Sequence, residues 1–119
     1  MQGPPVENIF TVTLGRHAMD LKWTEVRLGA QSIRIPFIGG DMPQFDLHIP
    51  RDGLFVMDMG CQTPSEHSRL MGVTRKISGA DVLIDVEGIE LWGVGSGQAA
   101  VGQPAAAIFP WDSVVVLED

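Results

Sequence analysis

Glycine and proline occur so often along this chain that little room is left for a long helix. Its 119 residues include 14 Gly and 8 Pro, and both residue types interrupt or end helices. Between them lie short runs in which apolar and polar residues alternate, which is the period of a strand with one buried face. In residues 44–49, for example, Phe45, Leu47 and Ile49 share one face. The pattern predicts an all-β fold, a small and strongly bent antiparallel barrel or sandwich.

Short alternating runs of this kind define the predicted strands. They cover residues 7–14, 21–28, 32–38, 44–49, 54–59, 73–77, 81–86, 89–94 and 113–117. Pro36 marks the third run as an edge strand, because proline cannot donate a hydrogen bond to a neighbouring strand. The turn-forming residues 50–53, Pro-Arg-Asp-Gly, predict a hairpin between the fourth and fifth runs. No internal repeat is evident, and we expect a single domain over residues 1–119.

One short helix and one long loop complete the predicted fold. Thr63 is suited to cap a helix, Pro64 to occupy its first position and Glu66 to close a capping box. Gly72 should end this helix after about two turns. The Gly- and Ala-rich residues 95–107 predict a flexible loop, because so few of their side chains can pack into a core.

The acidic residues are concentrated at one end of the chain. Lys76 is the last basic residue, and the 43 residues that follow it contain seven carboxylates and no Lys or Arg. The residues up to Lys76 carry eight charges of each sign, so this last third accounts for the whole formal charge of −7. A surface of one sign selects its partners by long-range field as well as by contact. Nucleic acid is therefore an unfavourable partner for this part of the chain.

Residues 81–92 predict an acidic β-hairpin that turns at residues 87–88. In that register Asp85 lies directly opposite Glu90 on one face, and Leu83 lies opposite Trp92, with Asp81 nearby. Two carboxylates that face each other destabilise a hairpin by up to about 1 kcal/mol unless a positive charge lies near them. The alternative is that this face is simply solvated, because exposed charges contribute little to stability.

Three sources could supply that positive charge. They are an Arg of the same chain, a basic side chain of a second copy, and a bound Ca²⁺ or Mg²⁺ ion. A second copy could offer Arg69, Arg75 or Lys76, and Leu83 and Trp92 would add an apolar anchor to such an interface. We therefore predict an interface between copies built from both sets of residues, and no metal site.

The residue types used in catalysis do not occur at useful spacings. Asp58, Cys61, Glu66 and His67 lie within ten residues of one another, but a zinc site would need a second Cys or a paired His. We predict no enzyme activity and no cofactor. Cys61 is the single cysteine, which excludes an internal disulfide and favours a reducing compartment. With no signal-like or membrane-spanning segment, we expect a cytoplasmic protein, or part of a particle assembled in the cytoplasm.

A second candidate surface lies near the beginning of the chain. Basic and aromatic residues are interspersed there, which is typical of a weak nucleic-acid-binding surface. The residues are Phe10, Arg16, Lys22, Trp23, Arg27 and Arg34. The chain has only eight basic residues against fifteen acidic ones, so little affinity for a phosphate backbone is expected.

The last strand resembles a known family. Residues 107–118, Ala-Ile-Phe-Pro-Trp-Asp-Ser-Val-Val-Val-Leu-Glu, are similar to the closing strand of Sm-like and SH3-like small barrels, where a Pro and a small polar residue precede a β-branched run that ends in an acid. The resemblance implies a strongly bent five-strand antiparallel sheet that assembles into a ring through its edge strands. RNA is the usual ligand of that family.

These observations together predict a non-enzymatic assembly or binding protein. Its copies are expected to join through β-strand edges and through the acidic hairpin, because a small sheet must cover or pair its edges. The alternative function is that of an Sm-like ring that binds RNA. No membrane association is expected.

Overall fold

The computed structural model describes residues 5–95, 97 and 99–117. These residues form an all-β fold, as predicted. The strands are β1 (Glu7–His17), β2 (Trp23–Leu28), β3 (Gln31–Pro36), β4 (Gln44–Pro50), β5 (Phe55–Met57), β6 (His67–Ser78), β7 (Asp81–Val86), β8 (Ile89–Gly95), β9 (Pro104–Pro110) and β10 (Val115–Leu117). One-turn 3-10 helices at Arg51–Gly53 and Trp111–Ser113 precede β5 and β10. No helix among the described residues is long and apolar enough to cross a membrane.

The strands form two sheets that share one core. The first sheet has the order β10-β4-β1-β2-β3, and the second is a closed barrel with the order β5-β8-β7-β6-β9. Strand β3 is an edge strand, as Pro36 predicted. Alternate residues of both sheets point into a continuous apolar cluster, whose members include Phe10, Leu47, Ile84 and Phe109. Burial of this shared cluster joins the two sheets into one packed unit.

The two halves of the chain repeat each other, although no repeat was evident in the sequence. Strands β1 to β5 correspond in order and pairing to β6 to β10, and the first and fourth strands of each half start sixty residues apart. The pairing registers also match. The first strand of each half carries a bulge at the same place, between Leu14 and Arg16 in β1 and between Thr74 and Lys76 in β6.

Strands β5 and β10 are exchanged between the halves. β5 pairs with β8 and β9 of the second half, and β10 pairs with β4 of the first half. The predicted hairpin between the fourth and fifth strands is therefore wrong. Arg51–Gly53 forms a 3-10 turn in which Leu54 N donates to Arg51 O at 3.2 Å, and this turn directs the chain away from β4 and into the other barrel.

Only the second half closes into a barrel, and two side chains explain why. There, Val94 N donates to Leu54 O at 2.8 Å, and Gly93 lets the Leu54 backbone approach closely. The corresponding residues of the first half are Pro36 and Ile35. Proline has no N–H to donate, and the isoleucine side chain occupies the space that glycine leaves. The first sheet consequently remains open between β3 and β10.

A pair of polar side chains ties each half to the other at equivalent positions. Asn8 Nδ2 donates to Trp92 O at 2.8 Å, and Asn8 Oδ1 accepts from Trp92 N at 2.7 Å. Ser68, which is the equivalent of Asn8, donates from Oγ to the carbonyl of Arg34, the equivalent of Trp92. Asn8 and Ser68 are both buried, so these bonds satisfy backbone groups of β8 and β3 that have no strand partner there.

Two further predictions are corrected by the strand boundaries. The helix from Thr63 does not form, because Glu66 adopts a φ of 56° in a turn and β6 begins at the next residue. The loop predicted over residues 95–107 is shorter. Gly95 ends β8, and residues 104–107 belong to β9, where the small alanine side chains pack against β6.

We predict that Gly93→Ala destabilises the fold by about 1–3 kcal/mol, because overpacking a tight site has a cost of that order. A Cβ at this position would lie 2.6 Å from Leu54 O. Gly60→Ala is the matched control, since the nearest atom to its added Cβ is 3.8 Å away. Urea denaturation of both variants measures the difference, and equal stabilities would contradict the close approach of β5 to β8.

We also predict that Asn8→Ala lowers the free energy of unfolding by about 1–3 kcal/mol, because buried backbone groups of Trp92 lose their partner. Thr11→Ala removes the solvent-exposed hydrogen bond from Thr11 Oγ1 to Asp46 Oδ1 and should cost far less. Thermal unfolding of the two variants compares them. Similar melting temperatures would show that the bond between the halves adds little to stability.

Candidate functional site

The acidic hairpin has the predicted register. Asp85 pairs with Glu90 and Leu83 pairs with Trp92 in the β7 and β8 ladder. The side chain of Asp85 is partly exposed and Glu90 is exposed, whereas the alternate residues of β7 are buried in the core. The facing carboxylates therefore lie on the outer surface of the barrel.

An arginine of the same chain lies beside the acidic pair. Arg75 Nε is 3.6 Å from Asp85 Oδ2, and the other oxygen of Asp85 accepts a hydrogen bond from Gly88 N at 3.0 Å. Asp81 is likewise 3.5 Å from Arg51 Nε. The positive charge beside Asp85 therefore comes from an arginine of the same chain. No ion pair to Glu90 is found among the described residues.

The other predicted interface residues are placed differently. Leu83 is only 8% exposed, so it is not a free apolar anchor. The Arg69 guanidinium donates to the carbonyls of Met59 and Cys61 within its own chain. Lys76 is exposed and lies opposite Leu83 in the β6 and β7 ladder. The accessible part of the hairpin, called the acidic face below, consists of Asp85, Glu87, Glu90 and Trp92.

Two of the equivalent positions in the first half carry basic side chains. Arg27 occupies the position that corresponds to Asp85, and Arg34 occupies the position of Trp92. The residues Arg16, Trp23, Arg27 and Arg34 all lie on the outer surface of β1, β2 and β3 and are called the basic face below. The sequence had indicated basic residues in this part of the chain, and the strand pairing brings these four together.

Stacking on Trp23 orders two of these arginines. The Arg34 guanidinium carbon is 4.1 Å from the centroid of the Trp23 ring, and the Arg16 guanidinium carbon is 5.8 Å from it. Both distances lie within the range of cation–π attraction. Glu25 lies between the two arginines in the ladder, with Glu25 Oε2 4.0 Å from Arg16 Nε. Three guanidiniums against this one carboxylate leave the face positive on a protein of net charge −7.

Two other members of the predicted basic surface do not join it. Phe10 is 4% exposed and belongs to the core. Lys22 is exposed in the turn between β1 and β2, where its backbone N donates to Asp20 Oδ1 at 3.2 Å. Phe10 is buried because it shares the inward alternation of β1 with Val12.

His17 has a structural role next to the basic face. Its Nε2 lies 2.7 Å from Gly40 O and its Nδ1 lies 2.8 Å from Thr24 Oγ1. Because a carbonyl can only accept, Nε2 carries a proton. Both ring nitrogens are thus engaged, and this histidine fixes the residues after β3 to the end of the β1 strand.

The residues weighed for a zinc or nucleophile site do not converge. Among the described residues, no cluster of His, Cys, Asp and Glu side chains could hold a metal ion. His67 Nδ1 donates to Ser65 O at 2.8 Å, and the carbonyl of Cys61 is bound by Arg69. These contacts stabilise the segment between β5 and β6.

The comparisons with known proteins concern the fold. No protein-family model matches this sequence, and no relative was found among the curated proteins. The chain is similar to the cytoplasmic molybdate-binding protein ModG, whose crystal structure holds bound molybdate. The two superpose with a TM-score of 0.70 at 14% sequence identity, over 92% of this chain and 94% of ModG. At this identity the likeness shows a shared fold.

We predict that the two faces differ in local potential in a way that ionic quenchers of fluorescence detect. In a W92F/W111F variant, iodide should quench Trp23 at least about twofold more efficiently than caesium, because the arginines attract anions. In a W23F/W111F variant, Trp92 on the acidic face should show the opposite preference. Stern–Volmer slopes at low salt measure both, and equal slopes would contradict the assigned potentials.

Proposed function

We propose that this protein is a non-enzymatic binding protein that assembles with copies of itself, with the acidic face of one copy docked on the basic face of the next. The observation that carries the proposal is that one pair of equivalent positions in the two halves, Arg27 and Asp85, holds opposite charges. Arg27 of β2 stands where Asp85 of β7 stands, and the strands they pair with, β1 and β6, carry the same bulge. Each copy thus carries one face of each sign on strands of equivalent pairing.

The composition of the two faces supports an interface. Trp23 and Trp92 are both partly buried and would supply the aromatic contacts that are enriched in interfaces. Glu90, which has no ion pair to the described residues, would gain a guanidinium from the neighbouring copy. In the proposed interface Arg27 supplies this guanidinium, because it is exposed and has no ion pair among the described residues.

Such a contact joins different surfaces of each copy, so its assemblies are rings when the rotation closes and open chains when it does not. Strand edges would add to it. β10 has a free edge in the open first sheet, and Val115 on this strand is 51% exposed. The proposed assembly therefore uses the acidic hairpin and a β edge. In it the basic face on β1, β2 and β3 replaces Arg69, Arg75 and Lys76 as the partner of the hairpin.

We predict that charge reversals on the two faces abolish self-association when alone and restore it when mixed. The variants are R16E/R27E on the basic face and E87K/E90K on the acidic face, all at exposed positions. Each variant then carries two faces of like sign, which repel each other, whereas an equimolar mixture forms alternating complexes. Light scattering at tens of micromolar protein measures mass at low and high salt, and salt should weaken the association.

The control is D112K, an exposed charge reversal outside both faces, which should leave the mass unchanged. A wild-type monomer at low salt would refute assembly. An oligomer that neither pair of reversals disturbs would refute the two faces as its interface.

An anionic ligand on the basic face is the second candidate function. The stacked Arg34 and Trp23 favour it, since arginine and an aromatic ring together suit a phosphate and a base. In this alternative the resemblance to Sm-like barrels extends to an RNA-binding ring. Binding of a short single-stranded RNA that falls with salt and is lost in R16E/R27E would support it, and no binding at low salt would exclude it.

The fold shared with ModG suggests an oxyanion as a smaller ligand of the same face. Titration with molybdate, followed by calorimetry, tests this directly, and sulfate serves as the comparison anion. Residues of the basic face should then be required, so R16E/R27E should bind neither anion. A cytoplasmic location is part of the proposal and is in keeping with the single cysteine.

A further inference from the structure

The turn between β1 and β2 exposes two large apolar side chains. Met19 is fully exposed and Leu21 is 61% exposed, and both belong to residues 18–22, called the tip below. The equivalent turn between β6 and β7 consists of Gly79 and Ala80. The fold can therefore make this connection without a large apolar residue, so the side chains of the tip need an explanation of their own.

Hydrogen bonds hold the backbone of the tip. Ala18 N donates to Trp23 O at 2.9 Å, and Leu21 N donates to Ala18 O at 3.0 Å. The backbone N of Lys22 donates to Asp20 Oδ1 at 3.2 Å. Leu21 has a φ of 57°, a left-handed conformation that glycine and asparagine adopt far more readily than leucine. An exposed leucine that is also unfavourable for its own backbone points to a contact outside the chain.

A second exposed apolar feature lies on the outer surface of the first sheet. Ile9, His48 and Val115 are direct neighbours across β1, β4 and β10, and they are called the outer row below. Ile9 is 56% exposed and Val115 is 51% exposed. The row therefore presents two β-branched side chains to its surroundings, one on each side of a histidine.

The equivalent row of the second half is covered by the chain itself. It consists of Arg69, Ile108 and Phe55. The Arg69 guanidinium donates to the carbonyls of Met59 and Cys61, which holds this segment over the row, and Ile108 at the centre of the row is only 5% exposed. The fold thus accommodates a packed segment at this position. In the first half the corresponding side chains stay exposed, so the same position is open to a segment of another molecule.

The tip and the outer row extend the two charged faces. The tip ends at Trp23, which belongs to the basic face. Asn8, the neighbour of Ile9 in β1, bonds both backbone groups of Trp92 at 2.7 and 2.8 Å, so the outer row borders the acidic face. A copy that docks its acidic face on the basic face of the next copy therefore brings its outer row beside the tip of that copy.

We propose that the tip of one copy packs on the outer row of the next, with Met19 and Leu21 against Ile9 and Val115. This contact rests on the assembly proposed above and supplies the apolar part of its interface. Salt screens the charged faces but leaves apolar burial intact. Because burial of an apolar side chain stabilises more than an exposed ion pair does, the contact retains part of the association at high salt.

Two double variants test the contact by removing one apolar surface each. They are M19Q/L21N in the tip and I9T/V115T in the outer row. Asparagine suits the positive φ of the tip and threonine keeps the β-branch that strands favour, so both variants should fold. Each should weaken self-association at high salt by at least about tenfold, the effect expected for one buried side chain of this size. The single variants L21N and V115T serve if a double variant does not fold.

Mixing the two variants identifies the partner surfaces. M19Q/L21N keeps the outer row and I9T/V115T keeps the tip, so an equimolar mixture should form more dimer at high salt than either variant alone. Sedimentation velocity measures the dimer fraction. The control is V101T, which makes the same kind of change at an apolar residue that is 62% exposed and lies outside both surfaces. It should leave the dimer fraction unchanged.

The outcomes separate this contact from the assembly on which it rests. A wild-type monomer at low salt would refute both. A wild-type oligomer would overturn the tip contact alone if it dissociates fully at high salt, if neither variant weakens it, or if the mixture associates no better than its components. A lipid surface is the alternative occupant for an apolar tip beside arginines. Sedimentation with phosphatidylserine vesicles that M19Q/L21N abolishes, with self-association kept, would also overturn the proposal.

Discussion

The exchange of β5 and β10 is the constraint on which the other parts of this structure depend. A three-residue strand cannot stand alone, and β5 is held only because it lies between β8 and β9 of the opposite half. Its bond from Val94 N to Leu54 O closes the second barrel. The open first sheet and the shared core follow from the same exchange, because each half lends its last strand to the other.

The alternation of apolar and polar residues predicted most of this fold, and the predictions that failed have physical causes. The register of the hairpin of β7 and β8 was predicted correctly, since the inward apolar side chains leave a single register. β9 was missed as a whole, because its alanines have low strand propensity and show no alternation. The helix at Thr63 was predicted from a capping signal alone, with no apolar face after it. Local propensity does not decide when a long strand such as β6 gains two partners.

Neither the repeat nor the basic face can be predicted from the residue pattern of a single strand. The two turns share only a Pro and an Asp, which are Pro50 and Asp52 in the first half and Pro110 and Asp112 in the second. From the sequence, the first pair was interpreted as a turn and the second pair as part of a family motif. The arginines of the basic face are far apart in sequence. Their proximity depends on strand pairing and on the bulge in β1, so sequence analysis found the residues and could not bring them together.

The linkage of both halves in one chain has a consequence for surface charge. In a symmetric dimer of two identical half-length chains, a substitution at Arg27 would appear at the position of Asp85 as well. Here the two positions are encoded separately, so equivalent strands of the two halves can carry opposite charges. A protein of this kind can specify a direction along an assembly, which an assembly of strictly identical halves could not.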